Sequence, residues 1–341
     1  MGKVICFGEI MLRLNPQDHL RFLQAENFQA SYAGSEASVS VSLSNFGVAS
    51  KYVTKVPNNE LGQAAINTLR KFGVDTKHIL RDENRLGIYF VEKGSSQRPS
   101  KVIYDRKYSS ISMVKPDDFY WDEIFEDGEL FHFSGITPAL GDNVADVCIK
   151  ACEEAKLRGL KVSCDLNYRN KLWTTAKASE VMTELMKYVD VLIGNEEDAE
   201  KVFGITDGEF SKEYFQNIDT ETYKSITKQL MEKFNLEYVA LTLRESISAD
   251  RNLWSGILYD GENHYLSKKY DINIVDRLGG GDSFAAGLIF GILSNYDIQK
   301  VIDFAVGASC LKHTIQYDFN LSTVDEVESL ISGDVAGRIQ R

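Results

Sequence analysis

No G-x-x-x-x-G-K-[ST] run occurs anywhere in the sequence, which excludes a P-loop for nucleotide phosphates. A dinucleotide fingerprint is missing too, because Phe284 stands where the last glycine of a G-x-G-x-x-G run starting at Gly279 would fall. Cysteine is scarce: Cys6, Cys148, Cys152, Cys164 and Cys310 make an odd set with no C-x-x-C spacing. Cys148 and Cys152 are four apart on a predicted helix, yet no second His or Cys pair completes a zinc site. Reduced thiols in a cytoplasmic protein are the expectation. Positive charge is in deficit, with 38 Lys and Arg against 50 Asp and Glu and a net charge of −12, which argues against nucleic acid as a partner. No apolar run approaches the ~20 residues of a membrane span, and the chain enters a strand with no signal peptide, so no membrane partner is expected. Internal repeats, low-complexity tracts and long linkers are absent as well.

What is present fits a single domain over residues 1–341. Hydrophobic residues make up 43% of the chain and charged residues 26%, a balance that suits one large α/β domain with an ample core. Short apolar or β-branched runs lie at Val4–Phe7, Tyr52–Val56, Leu130–Phe133, Lys161–Asp165, Val189–Ile193 and Tyr238–Leu243. Between them run longer helical patterns such as Leu61–Phe72 and Val144–Arg158, stopped by Gly73 and Gly159. Repeated β-α-β of this kind predicts a doubly wound, mostly parallel sheet. Two segments, 13–32 and 86–113, break the alternation, being rich in Tyr, Phe, Ile and Val without a helical period. Within the second, Leu86–Lys93 and Lys101–Arg106 read as a hairpin. On pattern alone these segments could add an antiparallel edge to the main sheet. Ala37–Ser44 alternates with period two, and pattern alone makes it a strand.

The most informative stretch is Asp276-Arg277-Leu278-Gly279-Gly280-Gly281-Asp282-Ser283-Phe284-Ala285-Ala286-Gly287. It follows a predicted strand over Tyr270–Val275 and enters a small-residue helix. Glycines let backbone N–H groups approach an anion closely, and the first helical turn adds unpaired N–H groups and the positive end of the dipole. Asp282, at the mouth of that cradle, is either a dipole partner for the helix or a base that takes a proton from a hydroxyl attacking phosphorus.

Asp276 to Ile289 resembles the C-terminal signature of the PfkB (ribokinase-like) carbohydrate kinases, D-T-x-G-A-G-D, with Arg277 in place of the usual small residue. The D-R-x-G-G-G-D-S-F form is similar to the 2-keto-3-deoxygluconate kinase branch. Gly8-Glu9, Ala33-Gly34-Ser35-Glu36-Ala37, Tyr104-Asp105-Arg106, Ser134-Gly135-Ile136, Asp165-Leu166-Asn167-Tyr168-Arg169 and Asn195-Glu196-Glu197-Asp198 appear in family order, so the resemblance spans nearly the whole chain. It implies a ribokinase-like fold in which 13–32 and 86–113 form a small β lid over the sugar site. The lid is also the expected contact of a homo-oligomer. The resemblance makes Ala37–Ser44 part of the first long helix, opened by Gly34 and stopped by Gly47. Ser38 stands where the family usually has Asn.

The resemblance also assigns roles. Asp282 would be the general base, with Gly279, Gly280 and Gly281 as the anion hole for the γ-phosphoryl group of ATP. Gly34, Ser35, Tyr89, Tyr104, Arg106 and Arg169 would bind the sugar. Tyr104 and Arg106 are two apart and share a strand face, and a guanidinium fork suits a carboxylate; without the resemblance they are a Tyr–Arg pair on a solvated edge strand. Asp165, Asn167 and Arg169 would share one face of an extended segment, and the alternative for Arg169 is a surface arginine. Asn167, Asn195, Thr242 and Ala308 would serve the nucleotide. Thr242–Ser246 takes the place of a T-x-G-x-x-G ATP loop, with Arg244 and Ile247 replacing both glycines. Glu196 would hold Mg²⁺ through water, with Asp198 where a Glu is usual; Glu196–Asp198 also reads as the acidic first turn of a helix. The resemblance leaves room for a monovalent cation. The implied reaction is ATP-dependent phosphorylation of 2-keto-3-deoxy-D-gluconate at its 6-hydroxyl. Its rivals are a kinase of the same family for fructose, ribose or 2-keto-3-deoxygalactonate, or a family member that binds without turnover.

Overall fold

The computed structural model describes residues 2–207 and 220–333. Its strands are β1 (Lys3–Phe7), β2 (Met11–Asn15), β3 (Gln29–Ala33), β4 (Ser50–Pro57), β5 (Ile79–Asp82), β6 (Ile88–Glu92), β7 (Lys101–Asp105), β8 (Gly128–Ser134), β9 (Lys161–Asp165), β10 (Val191–Gly194), β11 (Tyr238–Ser246), β12 (Arg251–Tyr259), β13 (His264–Leu266) and β14 (Tyr270–Asn273). The helices are α1 (Ser35–Asn45), α2 (Glu60–Lys71), α3 (Trp121–Ile124), α4 (Asp142–Leu157), α5 (Thr175–Leu185), α6 (Glu196–Phe203), α7 (Thr220–Phe234), α8 (Gly280–Leu293), α9 (Ile298–His313) and α10 (Val324–Ser332).

The main sheet has the order β13-β12-β11-β10-β9-β8-β1-β4-β5, with β14 added to β12. From β11 to β5 every neighbouring pair is parallel, while β12, β13 and β14 run antiparallel at one edge. Parallel strands need crossover helices on both faces, so both faces are buried and the strands are apolar throughout rather than alternating. β1 illustrates this: Val4, Ile5, Cys6 and Phe7 are all fully buried. The chain steps from β1 to β4 on one side and reaches β8 on the other, so the sheet reverses its winding at β1. Crevices at such switch points, outside the C-terminal strand ends, are where α/β sheets bind ligands.

The two aromatic segments do not extend the main sheet. They form a second, four-stranded sheet of order β3-β2-β6-β7, mixed in direction, with the expected hairpin pairing Ile88 with Asp105 and Glu92 with Lys101. It stands beside the end of β1, because only Gly8–Ile10 separate β1 from β2.

Ala37–Ser44 is helical, part of α1. The period-two pattern misleads because α1 is buried all round, packed between β4 and α8, so neither face needs to be polar. Two of its serines bond back along the helix: Ser38 Oγ donates to the Gly34 carbonyl at 2.8 Å and Ser42 Oγ to the Ser38 carbonyl at 2.7 Å. α8 and α9 also pack closely, since a Cβ on Gly287 would sit 2.8 Å from the Ala305 Cα.

Candidate active site

At the C-terminal ends of β1, β9, β10 and β11 lies a cavity of about 340 Å³, closed on one side by the small sheet and on another by the start of α8. That volume suits a small ligand.

The glycine run forms the floor. Gly279 is the residue before α8 and has φ +82°, and a Cβ there would lie 1.8 Å from the Asp318 carbonyl oxygen. A Cβ on Gly280 would strike the His313 ring at 2.4 Å. Gly281 meets nothing within 4 Å and faces the cavity. The three glycines therefore do different work: two allow close packing and the third leaves backbone open to a ligand. Of the first-turn N–H groups of α8, that of Gly280 donates to the Arg277 carbonyl at 3.4 Å, while those of Gly281 and Asp282, two cavity-lining residues, have no acceptor within the helix.

Asp282, in the first turn of α8, also lines the cavity, and its Oδ1 accepts a 2.6 Å hydrogen bond from Ser35 Oγ. Burial pushes its carboxyl up to about 7; the Asp318 and Glu36 charges push the same way, while the Ser35 hydrogen bond and Arg169 pull back. A carboxylate tuned near neutrality can accept a proton at physiological pH. Gly34 begins α1 where it passes the Glu9 carbonyl, which a Cβ would meet at 1.9 Å.

Tyr89, Tyr104 and Arg106 reach the cavity from the small sheet. The Tyr89 and Tyr104 rings stack at 6.1 Å, and the Arg106 guanidinium lies over the Tyr104 ring at 5.4 Å. Tyr89 OH donates to Asp318 Oδ1 at 2.9 Å. Arg106 is not an isolated cation: its Nε and Nη2 both donate to Glu9 Oε2, so the guanidinium is already half engaged by a buried carboxylate. Glu9 Oε1 is buried and accepts nothing.

Asp165 ends β9, but the expected extended run from Asp165 to Arg169 is not there. Asn167 has φ +38°, which turns the chain out of the strand and sends Arg169 to an exposed position. The turn still brings all three to the cavity. Asn167 Nδ2 donates to Asp165 Oδ2 at 3.3 Å and to Ser35 Oγ at 3.4 Å. Burial raises the Asp165 carboxyl well above its usual range, with the Asp198 and Asp282 charges adding to the rise.

Asn195 caps α6 by accepting from the Asp198 N–H at 2.9 Å, and both Asn195 and Glu196 line the cavity. Glu196 and Asp198 are buried first-turn acids; burial raises both carboxyls, that of Asp198 to about 6. Among the described residues no cluster of three or more His, Cys, Asp or Glu side chains could enclose a metal. The wall formed by Asp165, Glu196 and Asp198 instead offers buried acids whose charge a hydrated cation would relieve.

Thr242 lines the cavity and donates to the Gly194 carbonyl at 3.4 Å. Thr242–Ser246 is not a loop, however. It continues β11, paired antiparallel with β12 as far as Ser246 and Asn252, because without its glycines the chain stays extended. Ala308, expected at the nucleotide, is fully buried instead, with its methyl group packed toward Gly287 of α8, and does not line the cavity.

Several lining residues are given no site role by the sequence, although Glu36, Arg244 and Arg277 lie inside the motifs it offers. Glu36 is fully enclosed, its Oε1 accepting from Ser134 N–H, Ser134 Oγ and Thr137 Oγ1 at 2.9, 2.7 and 2.6 Å, and Gly8 is what makes room for it. Asp318 accepts from Arg13 Nη1 at 2.6 Å, tying the small sheet to the floor. His313, against Gly280, is kept neutral by burial, which lowers it to about 4. Arg244 and Arg277 complete the positive charge on the rim.

Residues 1–315 match the pfkB family carbohydrate kinase profile. Over 336 residues the chain is 30% identical to a 2-dehydro-3-deoxygalactonokinase of Haloferax volcanii, covering 98% of each chain. It is 28% identical to a 2-dehydro-3-deoxygluconokinase of Thermoproteus tenax, covering 97% of this chain and 94% of the relative. Among solved structures, a 2-dehydro-3-deoxygluconokinase of Thermotoga maritima superposes with a TM-score of 0.93 at 50% identity, covering 97% of this chain and 98% of the other.

Proposed function

The chain belongs to the pfkB family of carbohydrate kinases, and from that premise we propose that it transfers the γ-phosphoryl group of ATP to the 6-hydroxyl of 2-keto-3-deoxy-D-gluconate. The observation that carries the reading is one cavity holding Asp282 over the glycine floor together with Arg106, Tyr104 and Tyr89 from the small sheet. The sugar acid lies under that sheet, its carboxylate toward Arg106 and Arg169 and its 6-hydroxyl toward Asp282. Gly34 and Ser35 line the middle of its path. The nucleotide lies toward Thr242, Asn195 and Arg244, with its γ-phosphate at Gly279–Gly281.

Asp282 accepts the hydroxyl proton as the new O–P bond forms and the bond to the β-phosphate oxygen breaks, leaving ADP. The N–H groups of the α8 first turn take the charge that spreads over the equatorial phosphoryl oxygens. Asn167 and Ser35 hold Asp282 and Asp165 apart from bulk water. Mg²⁺, held through water at Glu196 and Asp198, would neutralise the phosphates. In this reading the small sheet is a lid over the sugar. The exposed apolar residues Ile103 of β7, at 53% exposure, and Leu23 of the β2–β3 connection, at 93%, are the expected contact with a second copy. Sedimentation in the presence of both substrates tests that contact, and a strict monomer at micromolar concentration rejects it.

An ADP-release assay over keto-deoxy acids and neutral sugars tests the reaction. The highest kcat/KM is expected with 2-keto-3-deoxygluconate or its C4 epimer. A preference for fructose or ribose rejects the acid assignment. Nucleotide binding without turnover of any sugar in the panel rejects the kinase reaction.

A further inference from the structure

Lys312 is the one fully buried lysine among the described residues, at 0% exposure. It is on the last turn of α9, behind the glycine floor rather than in the cavity. Its ammonium makes no bonded pair with a carboxylate. Nζ donates to two backbone carbonyls, those of Asp276 at 3.3 Å and Ile315 at 3.2 Å. The Asp276 and Asp318 carboxylates attract it from further away, while both are bonded by Arg13. Burial lowers its pKa to about 8, so the charged form prevails at neutral pH.

The two carbonyls belong to the two segments that shape the floor. Asp276 begins the turn to Gly279, and its Oδ1 accepts from the Leu278 N–H at 3.2 Å. Ile315 begins the turn to Asp318, whose carbonyl packs directly on Gly279. The segments are joined again where Tyr317, at φ +67°, donates its N–H to Asp276 Oδ2 at 3.1 Å, and where Val275 and Asp276 N–H groups donate to the His313 carbonyl. Two buried carbonyl dipoles aimed at one point are costly unless a cation or donor meets them. An ammonium and a large monovalent cation both satisfy that demand with oxygen ligands.

We propose that Lys312 is a positioning residue, a tethered internal cation that clamps the 276–279 and 315–318 turns and so fixes the anion hole, and that this chain therefore needs no exchangeable monovalent cation there. The catalytic consequence rests on the kinase reading; the presence of the tethered cation does not.

The test has two readouts on the whole chain. Thermal unfolding without substrates is followed in potassium, ammonium and tetramethylammonium chloride at equal ionic strength. The wild type is expected to give the same Tm in all three, and Lys312→Ala a lower Tm that potassium or ammonium raises and tetramethylammonium does not, since a cation that binds only the native state stabilises it. Initial rates under the same salts are expected to agree within about twofold for the wild type, and Lys312→Ala to lose roughly tenfold or more in kcat, partly recovered by potassium or ammonium. Lys312→Met, which keeps the stem and drops the charge, should lose kcat more than it raises KM for the sugar acid. Wild-type rates or Tm that depend several-fold or by several degrees on potassium overturn the proposal, as does Lys312→Met with unchanged kcat. If neither variant folds, the wild-type salt series decides alone. If the wild type phosphorylates no sugar, the unfolding series still decides whether Lys312 stands in for a cation.

Discussion

Ser35 Oγ lies 2.6 Å from Asp282 Oδ1, joining residues 247 positions apart in the chain. The first residue of α1 thus touches the first turn of α8, and two cavity walls from opposite ends of the chain are joined at Asp282. The bond stabilises the ionised carboxylate, while burial and the Asp318 charge oppose it. The position of this balance is measurable.

Asp282→Asn is expected to lower kcat by about 10²–10⁴-fold while ATP and sugar-acid binding stay within a few-fold. Retention of more than roughly a tenth of wild-type kcat removes Asp282 from the role of base. Stability should move the other way. The folded-state pKa of about 7 is above the ordinary value of 3.8, so ionisation of Asp282 weakens the fold as pH rises from about 4 through 7. At pH 8 the asparagine variant should unfold at a higher temperature than the wild type, and the gap should close near pH 4. A variant less stable than wild type at pH 8 contradicts the buried-charge account.

Ser35→Ala removes a hydrogen bond that holds the Asp282 pKa down. The rising limb of kcat against pH, expected near 7 in the wild type, should shift to higher pH in this variant. Activity lost at pH 7 should return at pH 9. An unshifted limb with a uniformly lower rate means that Ser35 acts on the sugar and not on the base.

Gly279 and Gly281 should respond to alanine in opposite ways. At Gly279 the left-handed backbone costs about 1–2 kcal/mol for an L-residue, and the new Cβ collides with the Asp318 carbonyl, so Tm should fall clearly. At Gly281 the Cβ meets nothing, and helix propensity favours alanine by up to about 1 kcal/mol. Gly281→Ala should keep or raise Tm yet lower kcat/KM for ATP, because the methyl group enters the space of the phosphate. Matching losses of stability in both variants would show that the two glycines share one structural role.

Much of this was legible in the chain because the chemistry is local. Asp276–Asp282, Asn195–Asp198 and Asp165–Arg169 each carry their meaning within a few residues: the last two follow the C-terminal ends of β10 and β9, and the first leads into α8. What was not legible depends on distant segments meeting. Glu36, Glu9 and Asp318 fit around the cavity only because Gly8, Gly87 and Gly279 leave space for them, a relation between segments far apart in the chain. Ala308 departs from expectation because a small residue on a late helix serves α8–α9 packing as readily as a nucleotide. Thr242–Ser246 falls at the position of a loop, but the lack of glycine there keeps it in the strand paired with β12.

Arg106 and Glu9 form a buried pair in the cavity wall. Arg106 is assigned to the substrate carboxylate, yet it already holds Glu9. Charged hydrogen bonds contribute about 1.5–3 kcal/mol each, and about 1.4 kcal/mol is a factor of ten. Arg106→Ala should therefore lower kcat/KM for the sugar acid by roughly one to two orders of magnitude, and change far less on the methyl ester of the same acid. The single variant carries a second effect, because removing one partner of a buried pair strands the other, a loss of about 3–5 kcal/mol in stability. The double variant Glu9→Gln/Arg106→Ala separates the two. It should regain most of the lost Tm, since no buried charge is left unpaired, but none of the preference for acid over ester. Recovery of both would mean that Arg106 serves Glu9 and that another cation, with Arg169 the first candidate, meets the carboxylate. Equal losses on acid and ester in the single variant would remove Arg106 from carboxylate recognition, and with it the main argument for a keto-deoxy acid over a neutral sugar.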